Sequence, residues 1–89
     1  MYPKYKGYEI KPSRTADKEM AHLKIYLDDV LTILEEGKDA SRSKRKSGTI
    51  EKALRIRDRM IKVVAVESIT CWSNEIVWVI IHVGETRER

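Results

Sequence analysis

The residues best suited to chemistry form a basic stripe. Positions 42 to 62 carry Arg42, Lys44, Arg45, Lys46, Lys52, Arg55, Arg57, Arg59 and Lys62, against only Glu51 and Asp58. The stretch holds a net +7 within a chain of net +4, so the positive charge is concentrated rather than spread as a solubility coat. Guanidinium groups clamp phosphate bidentately, and clustered positive charge gathers polyanions. By strand parity Arg55 and Arg57 lie opposite Leu54 and Ile56, Arg59 continues the parity, and Lys44, Arg45 and Lys46 come from the adjoining loop. These six, with Lys62, are the candidate nucleic-acid-binding residues. The same pattern also describes a solvated strand face paired with Glu51, Glu67 or Glu75.

His82 lies inside the apolar run Ile-Val-Trp-Val-Ile-Ile-His-Val, residues 76–83. An imidazole on a sheet surface can take or give a proton at neutral pH, so His82 is the candidate catalytic residue; a half-buried histidine satisfied by a neighbour is the plainer alternative. His22 has no such setting, and the two histidines do not form a ligand pair by spacing. Cys71 has no adjacent base and reads as packing. Tyr2, Tyr5 and Tyr8, interleaved with Lys4 and Lys6, suit either an edge strand or a platform for stacked bases. Neither a phosphate-binding glycine loop nor a G-x-S-x-G or H-E-x-x-H motif occurs, and four zinc ligands are lacking. No metal and no cofactor are expected.

The elements that must position these residues are legible from apolar spacing. With 89 residues the chain is expected to form a single domain, 1–89, with one modest core. Tyr2 to Lys11 reads as a short strand or ordered arm, and Pro12-Ser13 as a helix entry. Across residues 16–36, Met20, Leu23, Leu27, Val30, Leu31 and Leu34 advance by threes and fours, which predicts one long helix or two hinged near Lys24–Tyr26. Gly37 terminates it. Residues 38–48 are charged and predict a loop. The period then changes to alternation, predicting antiparallel strands near 49–57, 61–70 and 75–84, with a turn at Asp58-Arg59. The result is an α+β two-layer domain, a helix or helix pair on a three- to four-stranded antiparallel sheet. The last strand is apolar on both sides, with Trp78 and Ile80 facing one way and Val77, Val79 and Ile81 the other. One helical layer covers one side, so burial of part of the second, in a homodimer or against another partner, is expected.

No run of 18 apolar residues is present, which excludes a membrane-spanning helix. The start lacks the apolar core of a signal peptide and Cys71 is alone, so a cytoplasmic location is the default expectation. The absence of Gln, a single Asn (Asn74) and abundant charge fit a thermophile source.

The run Ser13, Thr15, Ala16, Met20, Ile25, Val30, Leu34 and Gly37, followed by Val63-Val64 and a closing apolar strand, resembles DUF4258, a family of short prokaryotic proteins. That family's pattern reads roughly Ser-x-His-Ala-x-x-Arg-Met-x-x-Arg-x-Ile, then Val, Leu and Gly at helical spacing. The resemblance spans residues 13–83. It implies a fold similar to the compact toxins of the RelE and ParE type, in which two helices pack on an antiparallel sheet and RNA-cleaving members work largely with basic residues on the open sheet face. Thr15 stands where the family usually has His, and Glu19 and Leu23 where it has Arg, so three positions depart from the pattern. Two functions follow. One is a toxin-like RNA-binding protein, acting on RNA or the ribosome, with weak metal-independent ribonuclease activity through His82. The other is a non-enzymatic interaction protein that uses its apolar C-terminal strand for a homodimer or an antitoxin-type complex.

Overall fold

In the computed structural model, residues 2–40, 48–70 and 73–86 are described. The chain first doubles back at Lys6 and Gly7, whose φ values of 51° and 85° suit the tight turn between β1 (Lys4–Tyr5) and β2 (Tyr8–Pro12). Helix α1 (Arg14–Leu23) starts where the Ser13 hydroxyl accepts from the Ala16 N–H at 3.1 Å. It stops at Lys24, which adopts a left-handed conformation (φ 59°). There the Lys24 N–H donates to Ala21 O and the Ile25 N–H to Met20 O. Ile25 is thereby turned into the core, and Tyr26 restarts the helix, its N–H donating to Asp29 Oδ2 at 3.0 Å. Of the two helical arrangements the sequence allows, the chain adopts the hinged pair, α1 and α2 (Leu27–Glu36). At Gly37 the end of α2 passes so close to the sheet that an added Cβ would lie 2.8 Å from Ala53 O.

Strands β3 (Lys38–Asp39), β4 (Thr49–Ile56), β5 (Arg59–Ile69) and β6 (Ile76–Thr86) complete one six-stranded sheet in the order β1-β2-β6-β5-β4-β3. The expected antiparallel meander is present as β4-β5-β6, but the predicted three- to four-stranded, all-antiparallel sheet is overturned. Six strands hold 51% of the described residues, and β2 pairs with β6 in parallel, with Ile10 opposite Trp78 and Pro12 opposite Ile80. The reason lies in β6. A long strand apolar on both faces is stable where both its edges are paired, and β5 covers only one. The N-terminal arm takes the other edge before the chain leaves through Ser13, whose N–H donates to Ile80 O. At the opposite end Lys38 and Asp39, expected in a loop, pair with Ala53 and Lys52 as β3.

The sheet curls into a half-barrel around the helices. Tyr5 and Lys6 at one edge and Asp39 and the start of β4 at the other line a common depression of about 230 Å³. Inside the curl, Ile10, Ile61, Val63, Ile80 and Val83 meet Val30, Ile33 and Leu34, all at most 1% exposed. Full burial of such side chains contributes roughly 1.5–3 kcal/mol each. Trp78 belongs to this side. It is 5% exposed, its ring lies 6.0 Å from that of Tyr5, and its Nε1–H donates to Tyr5 O at 3.2 Å. At Trp78, then, the chain itself supplies the cover. Among the described residues no helix is long and apolar enough to cross a membrane.

Candidate catalytic histidine and nucleic-acid interface

The β4–β5 hairpin decides where the basic stripe goes. Its turn is Arg57-Asp58, with φ of 47° and 68°, the two-residue arrangement that matches strand twist, and lies one residue earlier than the spacing predicts. Arg57 therefore leaves the strand and does not share a face with Arg55. Its guanidinium donates to Lys24 O at 3.1 Å and to Asp29 Oδ2 at 3.3 Å. Arg59, paired with Ile56, points to the helix side and donates to Leu23 O at 2.7 Å. Both arginines thus hold the carbonyl end of α1 and the turn into α2, where positive charge complements the helix dipole. Lys44, Arg45 and Lys46 lie outside the described residues.

Arg55 and Lys62 remain on the sheet face turned away from the helices. Arg55 is exposed opposite Met60. The Lys62 ammonium sits 2.9 Å from Glu51 Oε1, with 34% of its side chain exposed against 3% for Glu51. Glu51 is thus a buried carboxylate neutralised from above, and Lys62 keeps partial access to solvent.

His82 shares this face. β6 carries an extra residue at Ile81, since Val64 pairs with His82 and Ala65 with Ile80. Such a bulge re-aims the side chains beside it. Beyond Pro12 the outer edge of β6 has no strand partner among the described residues, and Glu19 of α1 fills the gap. One carboxylate oxygen accepts the Val83 N–H at 3.0 Å and the other lies 3.0 Å from His82 Nδ1. A carboxylate only accepts, so Nδ1 carries a proton and the neutral ring has its lone pair on Nε2. That nitrogen lies over Gly84: a Cβ at position 84 would stand 2.8 Å from it. Gly84 is paired with Lys62 across the ladder. The bulge, Glu19 and Gly84 therefore set the ring on the face that also carries Lys62 and Arg55, with Lys62 on the neighbouring strand and its ammonium directed to Glu51. A carboxylate-held imidazole can remove a proton, and cations on the neighbouring strands of the same face can neutralise developing negative charge.

Sequence reasoning singles out His82, Lys62 and Arg55 as candidates but not the Glu19 and Gly84 contacts to His82. Glu19 lies 63 positions from its partner, and no periodicity links the two. Gly84 was detectable, because a glycine two residues after a strand histidine shares its face and leaves the ring room to lie flat. His22 is on α1, exposed, and lines a shallow depression that also includes Glu19 and Gly84. Among the described residues no group of three His, Cys, Asp or Glu side chains could hold a metal ion. Comparison with family models, curated proteins and solved structures gives no match to this chain.

Proposed function

We propose that the chain is a toxin-like RNA-binding protein that cleaves RNA without a metal, with His82 as the proton-transfer residue. The observation that carries this reading is the 3.0 Å contact between Glu19 and His82 Nδ1, which orients the ring and leaves Nε2 directed away from Glu19 on the face that carries Lys62. In the reaction Nε2 takes the proton of a ribose 2′-hydroxyl. The 2′-oxygen bonds to the adjacent phosphorus, and the bond from phosphorus to the 5′-oxygen breaks. The imidazolium returns the proton to the departing oxygen, giving a 2′,3′-cyclic phosphate and a 5′-hydroxyl. Lys62 offsets the charge on the crowded phosphorane, and Arg55, one strand further on, holds a neighbouring phosphate.

The test is binding and cleavage of end-labelled single-stranded RNA in the presence of a chelator. His82→Gln should lower the cleavage rate about 100-fold or more, with affinity nearly unchanged. Arg55→Gln should weaken binding and flatten its salt dependence by about 0.7 in log K per decade. Cleavage unaffected by His82→Gln removes it from the mechanism. Engagement of Arg57, Arg59 and Lys62 inside the chain favours a second reading, a non-enzymatic interaction protein. Absence of RNA binding at low salt would leave that reading standing.

A further inference from the structure

The open face carries one basic group on each of four neighbouring strands. Lys11 of β2 pairs with Val79 of β6, His82 follows on β6, Lys62 of β5 pairs with Gly84, and Arg55 of β4 pairs with Met60, itself opposite Thr86. Projected onto β6, the four stand at positions 79, 82, 84 and 86. They therefore form a diagonal, each step crossing one strand and two to three residues, about 8 Å apart from the strand spacing and rise. At the outer end of the diagonal the Lys11 ammonium lies 5.5 Å from the ring centre of Tyr2, which is 43% exposed. Three carboxylates contact the line: Glu9, 4.0 Å from Lys11, Glu19, 3.0 Å from His82, and Glu51, buried beneath Lys62.

We propose that this diagonal is the track of a single-stranded nucleic acid and that Tyr2 is its base-stacking subsite. The proposal rests on the RNA reading above and names the strandedness of the substrate. An aromatic ring stacks on any base that is free of its complement, and an adjacent cation holds the phosphate of the same nucleotide. A duplex keeps its bases stacked inside and offers none to Tyr2. The steps of the diagonal suit successive phosphates of an extended strand, so the nucleotide on Tyr2 and Lys11 lies one or two positions from the phosphate at His82 and Lys62. Tyr5 is excluded from this role because it is buried against Trp78.

The experiment measures affinity of the full chain for a fluorescent single-stranded RNA and for the same sequence as a duplex, with His82→Gln as background to prevent turnover. Tyr2→Ala should weaken single-strand binding about 5-fold or more, while Tyr2→Phe holds wild-type affinity and duplex affinity stays constant. Lys11→Gln should weaken binding and lower the salt slope by about 0.7. If Arg55→Gln weakens single-strand binding and Tyr2→Ala does not, the stacking subsite is overturned while the RNA reading survives. Equal losses for duplex and single strand on Tyr2→Ala would also overturn it. Failure of the parent protein to bind either RNA would remove both.

Discussion

Replacing Glu19 by Ala takes away two acceptors at once: that of the Val83 N–H on an otherwise uncovered strand edge, and that of His82 Nδ1. Hydrogen bonds to a charged group contribute about 1.5–3 kcal/mol each when shielded. The Glu19 side chain is 30% exposed and that of His82 44%, so water compensates part of the loss. The expected cost is about 1.5–2.5 kcal/mol, or a Tm lower by about 10 °C for a domain of this size. His82→Ala removes only the more exposed partner and should cost about 0.5–1 kcal/mol. Because the two residues share one bond, the double variant should be less destabilised than the sum of the singles by about 1 kcal/mol. Urea unfolding of the four proteins, with constant m-values, measures this coupling. Additivity to within about 0.4 kcal/mol would refute the pairing.

Glu19→Gln separates the two bonds. The amide oxygen still accepts from Val83, but its NH₂ now faces the imidazole, which must accept at Nδ1 and carry its proton on Nε2. Stability should therefore stay within about 1 kcal/mol of wild type, while ¹⁵N NMR of His82 reports the opposite tautomer. Any cleavage should fall as far as in His82→Gln. A wild-type ring already protonated on Nε2 would defeat the argument before any activity is measured.

Three further outcomes follow from the same geometry. Gly84→Ala places a methyl 2.8 Å from His82 Nε2, so the ring must rotate; the His82 tautomer signature should be lost with a stability change of about 1–2 kcal/mol, visible together by NMR and thermal unfolding. Arg59→Ala frees the Leu23 carbonyl at the end of α1 and should cost about 1–2 kcal/mol in chemical denaturation while leaving RNA affinity unchanged, in contrast to Arg55→Gln. Lys24→Gly relieves a left-handed lysine at the end of α1 and should stabilise by about 0.5–1 kcal/mol, measured as a higher urea midpoint at constant m.

What the sequence made legible was local. The three-four spacing of Met20, Val30 and Leu34 marked helices whose inner faces are buried, and the switch to alternation after residue 48 marked the hairpins. Ser13 and Gly37 end elements as their chemistry requires. Two errors share one cause, a turn that needs positive φ on residues other than glycine. Arg57-Asp58 carries no Asn-Gly or Asp-Gly signature, so apolar spacing alone puts the turn one residue late and Arg57 on the wrong face. Lys6-Gly7 does end in glycine, but strands as short as β1 and β2 have too few residues to show a period. The parallel pairing of β2 with β6 joins residues almost 70 positions apart, and nothing local encodes it.

Glu19 shows why the site was harder to read than the fold. In the sequence it is one of several charged residues of α1, with nothing local to mark a partner on β6. In the folded chain this carboxylate stands at a stretch of β6 edge that β2 does not reach. An arginine could not accept the Val83 N–H, and it would set donors against the Nδ1–H of His82. Glu19→Arg tests the point: it should cost more than Glu19→Ala, because it both orphans Val83 and faces the His82 Nδ1–H with a group that can only donate. If it costs less, the Glu19 carboxylate is not what holds this edge in place.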